Sequence, residues 1–282
     1  MATNVVPCGS GIVSCGPRVA RISVDEPFVI EVVPGQMVST AVHAGHDLRA
    51  GLVDVVAIDP STRLREEDPF TDRLLDDVGI RVVAQRSRFE VDLNRPRERA
   101  VYRVPDEAFG LAVWKRELTP DELEESRRIH DAFYNCLSTH CDGLAADGSF
   151  LVVDVHSYNH RRGGPDALAE PAAGNPEVNV GTGALEGRRW EHVVATFVEV
   201  LGDQRVRGHR LDVRVNVRFR GGYLCHWVAE HYPETACPLA IEFKKVFMDE
   251  WTGQCDHAHL SELREALGVA ARHTVDALAD LT

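Results

Sequence analysis

Six short runs stand out along the chain: FVIEVV, VSTAVHAG, IRVVAQ, FLVVDVHS, LDVRVNV and PLAIEFKK. Each is rich in β-branched and aliphatic residues and too brief for a helix, which predicts strands and enough of them for a central sheet. Between them the apolar period lengthens. The segment opening at Thr119 reads TPDE, offering a threonine N-cap, a proline at the first helical position and Glu122 for a capping box. Downstream, Ile129, Ala132, Phe133, Cys136 and Leu137 repeat at i, i+3, i+4, i+7 and i+8, one apolar face that should lie on the sheet. WEHVVATFVEVL repeats the pattern through Val193, Val194, Phe197, Val200 and Leu201, and a last helix is expected from about Leu260 to Leu278. Helices alternating with buried strands predict an α/β fold, a single domain with a central mixed, mostly parallel sheet flanked by helices.

That domain should occupy residues 26–282, after a Gly-, Pro- and Cys-rich N-terminal arm at 1–25. The stretch HRRGGPDALAEPAAGNPEVNVGTGALEG has no apolar period, so it is expected to be a long loop overhanging whatever His156 does. VDLNRPRERAVY reads as an alternating strand that ends at Asn94 and Arg95.

Composition narrows the class of partner. With 44 acids against 31 bases the formal charge is −13, which argues against nucleic acid. The apolar runs fall short of the roughly 20 residues of a membrane helix, and the N-terminus lacks the basic region of a secretory signal. A cytoplasmic protein with no membrane partner is expected. The seven cysteines are odd in number, scattered and free of CxxC pairs, so reduced thiols are expected.

Several strands end in residues that chemistry uses. VSTAVHAGHD delivers His43 and His46, FLVVDVHS delivers Asp154 and His156, and PLAIEF carries Glu242. Ligand sites of open α/β sheets form beyond the carboxyl ends of the strands. Two such histidines with an acid match a catalytic zinc site, which takes three protein ligands and keeps a position for water. Taken singly, each histidine reads equally as a hydrogen-bonded structural residue. Glu242 is either a salt-bridge partner of Lys244, Lys245 or an arginine, or a general base beside a metal. The acidic tract REEDPFTDRLL, with Glu66, Glu67, Asp68 and Asp72, either caps an amphipathic helix or supplies a third ligand. Asn94 and Arg95 offer a fork for a carboxylate, and Asn216, Arg218 and Arg220 precede two glycines that permit close backbone approach. Arg161 and Arg162 open the long loop.

In order along the chain, HAG, EDPFTDRL, VDLNRPR, DVHS, the NVRFRGGY glycine turn and IEFKKVFMDE resemble the N-formylglutamate amidohydrolase family over roughly residues 38 to 255. That family is similar in fold and site to the wider zinc carboxypeptidase and aspartoacylase group, a phosphorylase/hydrolase-like architecture. The resemblance implies a hydrolase with one zinc that cleaves the amide of an N-acyl acidic amino acid such as N-formylglutamate. It implies His43 and His156 as zinc ligands, Asp68 as the third, and Glu242 as the base that activates water. Asn94 and Arg95 match the pair that holds the substrate carboxylate, with Arg218 and Arg220 as further contacts to a small anionic amide; Arg161, at the start of the long loop, is expected to close over that substrate. Either Arg95 or one of Arg218 and Arg220 would steady the oxyanion. The chain departs from the family pattern at Val42, at Pro69 and in NVRFRGG, beside the expected ligands. His46 stands where the carboxypeptidase-like group places an acid, so His43, His46 and His156 form an alternative triad. A related amidase or carboxypeptidase for another N-acyl amino acid or small peptide fits the same ligands, as does a binding protein that has lost catalysis.

Overall fold

The computed structural model describes residues 26–75 and 77–279; the expected N-terminal arm, with Cys8 and Cys15, lies outside them. In chain order the strands are β1 (Phe28–Val32), β2 (Met37–Ala41), β3 (Ile80–Ala84), β4 (Phe150–Tyr158), β5 (Val178–Gly181), β6 (Arg205–Val206), β7 (His209–Arg210), β8 (Val213–Val215) and β9 (Ala236–Lys244). The helices are α1 (Ala50–Val53), α2 (Pro60–Glu66), α3 (Pro120–Asp147), α4 (Glu191–Asp203), α5 (Tyr223–His231) and α6 (His257–Leu278). Seven strands form one sheet in the order β1-β3-β2-β4-β9-β5-β8, while β6 and β7 make a small hairpin. The sheet is mixed: β3, β2, β4 and β9 run parallel to one another, and β1 and β5 pair antiparallel with their neighbours β3 and β9. All six apolar runs are strands of this sheet, in the α/β arrangement the sequence predicts.

The alternation within β4 explains the layers. Leu151, Val153 and Val155 pack with Ile241 and Phe243 of β9 against Phe197 of α4 and Leu263 and Leu267 of α6. Phe150 and Val152 face the other way, onto Phe133 and Leu137 of α3 and Leu224 and Val228 of α5. Every residue of β4 is buried, as expected for a central strand covered on both faces. Each fully buried aliphatic or aromatic side chain contributes roughly 1.5–3 kcal/mol of transfer free energy. At the head of α3 the capping box forms as the TPDE sequence requires: Thr119 N–H donates to Glu122 Oε2 at 2.7 Å and Glu122 N–H to Thr119 Oγ1 at 3.3 Å.

Three local expectations are corrected. The long loop at 160–187 contains β5, whose four residues VNVG become a strand only by inserting between β9 and β8. Gly181 in it is required, since a Cβ would lie 2.7 Å from the Gly221 nitrogen. Residues 89–94 are not a strand: Phe89, Glu90, Val91, Asp92 and Leu93 are all buried, and the backbone turns, with Glu90 N–H and Val91 N–H donating to Ser87 O. The acidic tract does not cap an amphipathic helix. It ends α2, whose cap is Asp59 accepting from Thr62 N–H at 2.9 Å, and only a single 3₁₀ turn, Thr71–Arg73, follows. α5, between the glycine turn and β9, is a further element: its nine residues place Leu224, Trp227 and Val228 at i, i+3 and i+4, a face too short to stand out along the chain but one that packs with Phe133 and Leu137 of α3.

Among the described residues, Cys136, Cys141, Cys225, Cys237 and Cys255 form no disulfide. No described helix is long and apolar enough to cross a membrane.

Candidate active site

The parallel strands β2, β4 and β9 deliver their carboxyl ends to one edge of the sheet. His43 lies just beyond β2, where Gly45 lets the chain turn against Gln85: a Cβ there would sit 2.4 Å from the Gln85 carbonyl carbon. His156 and Glu242 are register partners near the ends of β4 and β9. Asp68 comes from the turn after α2, held by its own N–H donating to His43 O at 2.9 Å.

Both imidazoles are buried and oriented alike. His43 Nε2 lies 2.7 Å from Asp92 Oδ1, and His156 Nε2 lies 2.8 Å from Asp154 Oδ2. Thr40 Oγ1 donates in turn to Asp154 Oδ1 at 2.6 Å. With Nε2–H directed at a carboxylate, each ring turns its Nδ1 to the opposite side, where a metal ligand would need it. There the two Nδ1 atoms meet one carboxylate: Asp68 Oδ2 is 3.4 Å from His43 Nδ1 and 3.1 Å from His156 Nδ1. Burial alone pulls the His156 imidazole down, but the Asp154 and Asp68 carboxylates raise it well above its ordinary value in the metal-free protein. The ligand atoms of His43, Asp68 and His156 all lie within 4.8 Å of one another. His43 Nδ1 is buried and has no hydrogen-bond partner. An orphaned buried polar atom costs about 1–3 kcal/mol, so its retention beside a carboxylate points to something that takes its lone pair. Two imidazole nitrogens and a carboxylate, each imidazole backed by a second carboxylate, fit a divalent cation with a position left open.

Asp92 is the hub behind His43. Its Oδ1 also accepts from Asn94 N–H at 2.9 Å, and its Oδ2 accepts from Arg88 Nη2 at 3.0 Å and from the Tyr102 hydroxyl. Burial pushes the Asp92 carboxyl up, but the charges of His43 and Arg88 and the bonds from His43 and Tyr102 hold it well below the usual carboxylate range. Arg88 and Tyr102 are site residues beyond those the sequence predicts. The available signal was the four-residue spacing of Arg88 and Asp92 beside Asn94.

In front of the donor set lies a cavity of about 250 Å³. Glu242 lines it, and among the described residues nothing hydrogen-bonds to its carboxyl. Burial pushes this group up to about 7, with the His156 charge opposing the rise and Asp68 and Asp154 adding to it. Burial also pushes the Lys245 ammonium on the same wall down.

A family model for N-formylglutamate amidohydrolase matches residues 35–248, a span that contains every residue lining this cavity. The chain belongs to the N-formylglutamate amidohydrolase family. In fold it is similar to an N-formylglutamate amidohydrolase from Ralstonia eutropha JMP134, 17% identical over 90% of this chain and 99% of the other, with a TM-score of 0.69. A gene product of Agrobacterium tumefaciens is 18% identical over 88% of this chain and 95% of its own, with a TM-score of 0.60. No curated protein matches the chain.

Within this family member the expected site residues divide into two groups. His43, Asp68, Asn94, His156, Arg220 and Glu242 converge on the one cavity. Asn94 is fixed by accepting from Leu224 N–H at 2.9 Å through Oδ1, and its Nδ2 stands 3.2 Å from His156 Nε2. Gly222 makes this possible, because a Cβ there would fall 2.3 Å from Asn94 Nδ2. Arg95, Arg161, Arg218 and His46 take partners elsewhere. Arg95 donates to Glu107 O at 2.7 Å, stacks 4.6 Å over the Tyr102 ring and lies with its Nε 3.5 Å from Asp92 Oδ2, behind the site and outside the cavity lining. Arg218 is held by Asn175 at 2.5 Å and Glu170 at 3.1 Å. Arg161 pairs with Asp249 at 2.6 Å and faces a separate groove, whereas its neighbour Arg162 lines the site cavity. His46 turns to Glu67 at 2.5 Å and lies outside the donor set, among the described residues.

Proposed function

We propose that the chain is a zinc-dependent amidohydrolase that cleaves the amide of an N-acyl acidic amino acid, with N-formylglutamate as the first substrate to test. The observation behind this reading is that Glu242, a carboxylate without a hydrogen-bond partner among the described residues, shares a cavity with the donor set of His43, Asp68 and His156. Membership of the N-formylglutamate amidohydrolase family supports the choice of substrate.

A zinc ion held by His43 Nδ1, His156 Nδ1 and the Asp68 carboxylate would supply Lewis acidity, acidifying a water and polarising the acyl carbonyl. Glu242 takes the proton of the attacking water and passes it to the nitrogen of the leaving amine. A carboxyl raised to about 7 by burial is matched to both halves of that transfer near neutral pH. Asp92 and Asp154 keep the two imidazoles turned so that Nδ1 faces the cavity. Arg220 lines the cavity with no side-chain partner among the described residues, so its planar guanidinium is free to receive a substrate carboxylate. Arg162, Arg88 and Lys245 also line the cavity, a local concentration of cations in a chain of net charge −13.

The test is a hydrolysis screen of N-formyl, N-acetyl and peptidyl derivatives of Glu, Asp and neutral residues, run with and without a chelator, together with metal analysis. The expected result is turnover of N-formyl acidic substrates, lost on chelation, with about one zinc per chain. Preference for a neutral amino acid overturns the substrate assignment. Chelator-resistant turnover by metal-free protein overturns the metal.

A further inference from the structure

The turn that presents Asp68 begins as the end of a helix, and helix ends leave carbonyls without intrahelical partners. α2 stops at Glu66, and the carbonyls of residues 65 to 68 all accept from side chains. Arg65 O accepts from Asn159 Nδ2 at 3.0 Å and from Lys245 Nζ at 2.7 Å. Glu66 O accepts from Arg88 Nη1 at 3.4 Å, Glu67 O from Lys245 Nζ at 2.7 Å, and Asp68 O from Thr71 Oγ1 at 2.6 Å. One ammonium thus bridges the two carbonyls on either side of residue 66, and the second of them belongs to the peptide bond that leads into Asp68.

Lys245 is 1% exposed. A lysine is rarely buried so completely unless its charge is engaged. It follows β9 directly, three residues after Glu242, and its own N–H donates to Tyr158 O at the end of β4 at 3.0 Å. The side chain therefore spans from the two longest strands of the sheet to the turn after α2. His43 and His156 need no such tie, because strand ends fix them. Asp68 sits on a turn between a seven-residue helix and a 3₁₀ turn, not on a strand; its N–H reaches His43 O at 2.9 Å and Ser157 Oγ of β4 reaches its Oδ1 at 3.4 Å, while the carbonyls leading into it are held by Lys245.

We infer that Lys245 is a positioning residue: by clamping the carbonyls of Arg65 and Glu67 it sets the Asp68 carboxylate opposite the two imidazoles. The inference rests on the metal reading proposed above. It adds a role for a buried lysine that neither the donor set nor the base chemistry uses.

The experiment measures zinc affinity of folded, metal-free protein by competition with a chromophoric chelator, for the wild type, Lys245→Met and Asp68→Ala. Asp68→Ala should weaken zinc binding strongly. Lys245→Met should weaken it about 10- to 100-fold, the loss typical when an outer partner of a ligand is removed. A purely structural lysine would lower the melting temperature of the metal-free protein and leave the affinity of the folded fraction unchanged, so Lys245→Met within twofold of wild type overturns the inference while the metal reading stands. Should Lys245→Met fail to fold, Lys245→Gln, which keeps a donor for one carbonyl, is read in the same assay with a smaller loss expected. Wild-type protein that binds no zinc overturns the metal reading and this inference with it.

Discussion

His156 and Glu242 face each other as register partners on β4 and β9, the two central parallel strands. An expected metal ligand and an expected proton acceptor are therefore fixed by the same ladder of backbone hydrogen bonds, and the separation between them is set by the sheet. This makes their roles separable by substitution.

Glu242→Gln keeps the shape of the side chain and removes its basicity. Turnover should fall by about 10²–10⁴-fold, the usual contribution of a positioned general base. Metal content should be unchanged. Steady-state kinetics with metal analysis on the same preparation check both halves, and near-normal kcat in the variant would remove Glu242 from the chemistry.

The pH dependence follows from the direction of the Glu242 shift. Burial raises its carboxyl from an ordinary 4.5 to about 7. The base must be ionised to act, so activity should rise with pH through its pKa. A bound cation nearby favours the ionised form and moves that pKa down. The acid limb of the kcat/KM profile should accordingly fall below about 7 and disappear in Glu242→Gln. For stability the sign is opposite to that of a salt-bridged acid: a raised folded-state pKa gives a contribution present below 4.5 and lost as pH rises through about 7. Melting curves of metal-free Glu242→Gln should lack this loss, which wild type shows over the same window.

Asp92→Asn should weaken metal binding by about 10- to 100-fold through the orientation of His43 alone. Chelator competition measures this. His43 itself is untouched, so a wild-type affinity in Asp92→Asn would show that His43 holds its rotamer without help.

Arg220→Ala and Arg161→Ala separate the two arginine groups. Loss of Arg220 should raise KM for a dicarboxylate substrate by roughly tenfold or more, as expected when a bidentate charged contact is removed. Arg161 is committed to Asp249 over a different groove, and its removal should leave KM within twofold. Equal effects from the two variants would place the anion elsewhere.

The sequence revealed what periodicity and strand ends encode. The six runs, the capping box at Thr119 and the histidines and glutamate at the ends of β2, β4 and β9 are all local signals, each written within about ten residues. β5 was hidden because VNVG has no strand identity until β9 and β8 flank it. The arginines were harder for a related reason. Whether a guanidinium is available depends on remote partners: Glu107 for Arg95, Asp249 for Arg161, Glu170 and Asn175 for Arg218. The Arg88–Asp92 pair is not legible in the sequence because an extended strand holds residues four apart well out of reach, and only the turn at 87–92 brings them to 3.0 Å.

The insertion of β5 gives the cavity two walls of unequal stiffness. The two histidines and Glu242 stand on or next to the core strands, with β4 and β9 paired over nine residues. Arg220 follows β8, a three-residue edge strand tied to the four residues of β5. Short edge pairing opens locally at lower free energy than a central ladder. Amide hydrogen exchange should therefore show slow exchange at 151–157 and fast exchange at 213–222. Selection for a new substrate can then reshape the anion-facing wall while the half that does the chemistry keeps its geometry.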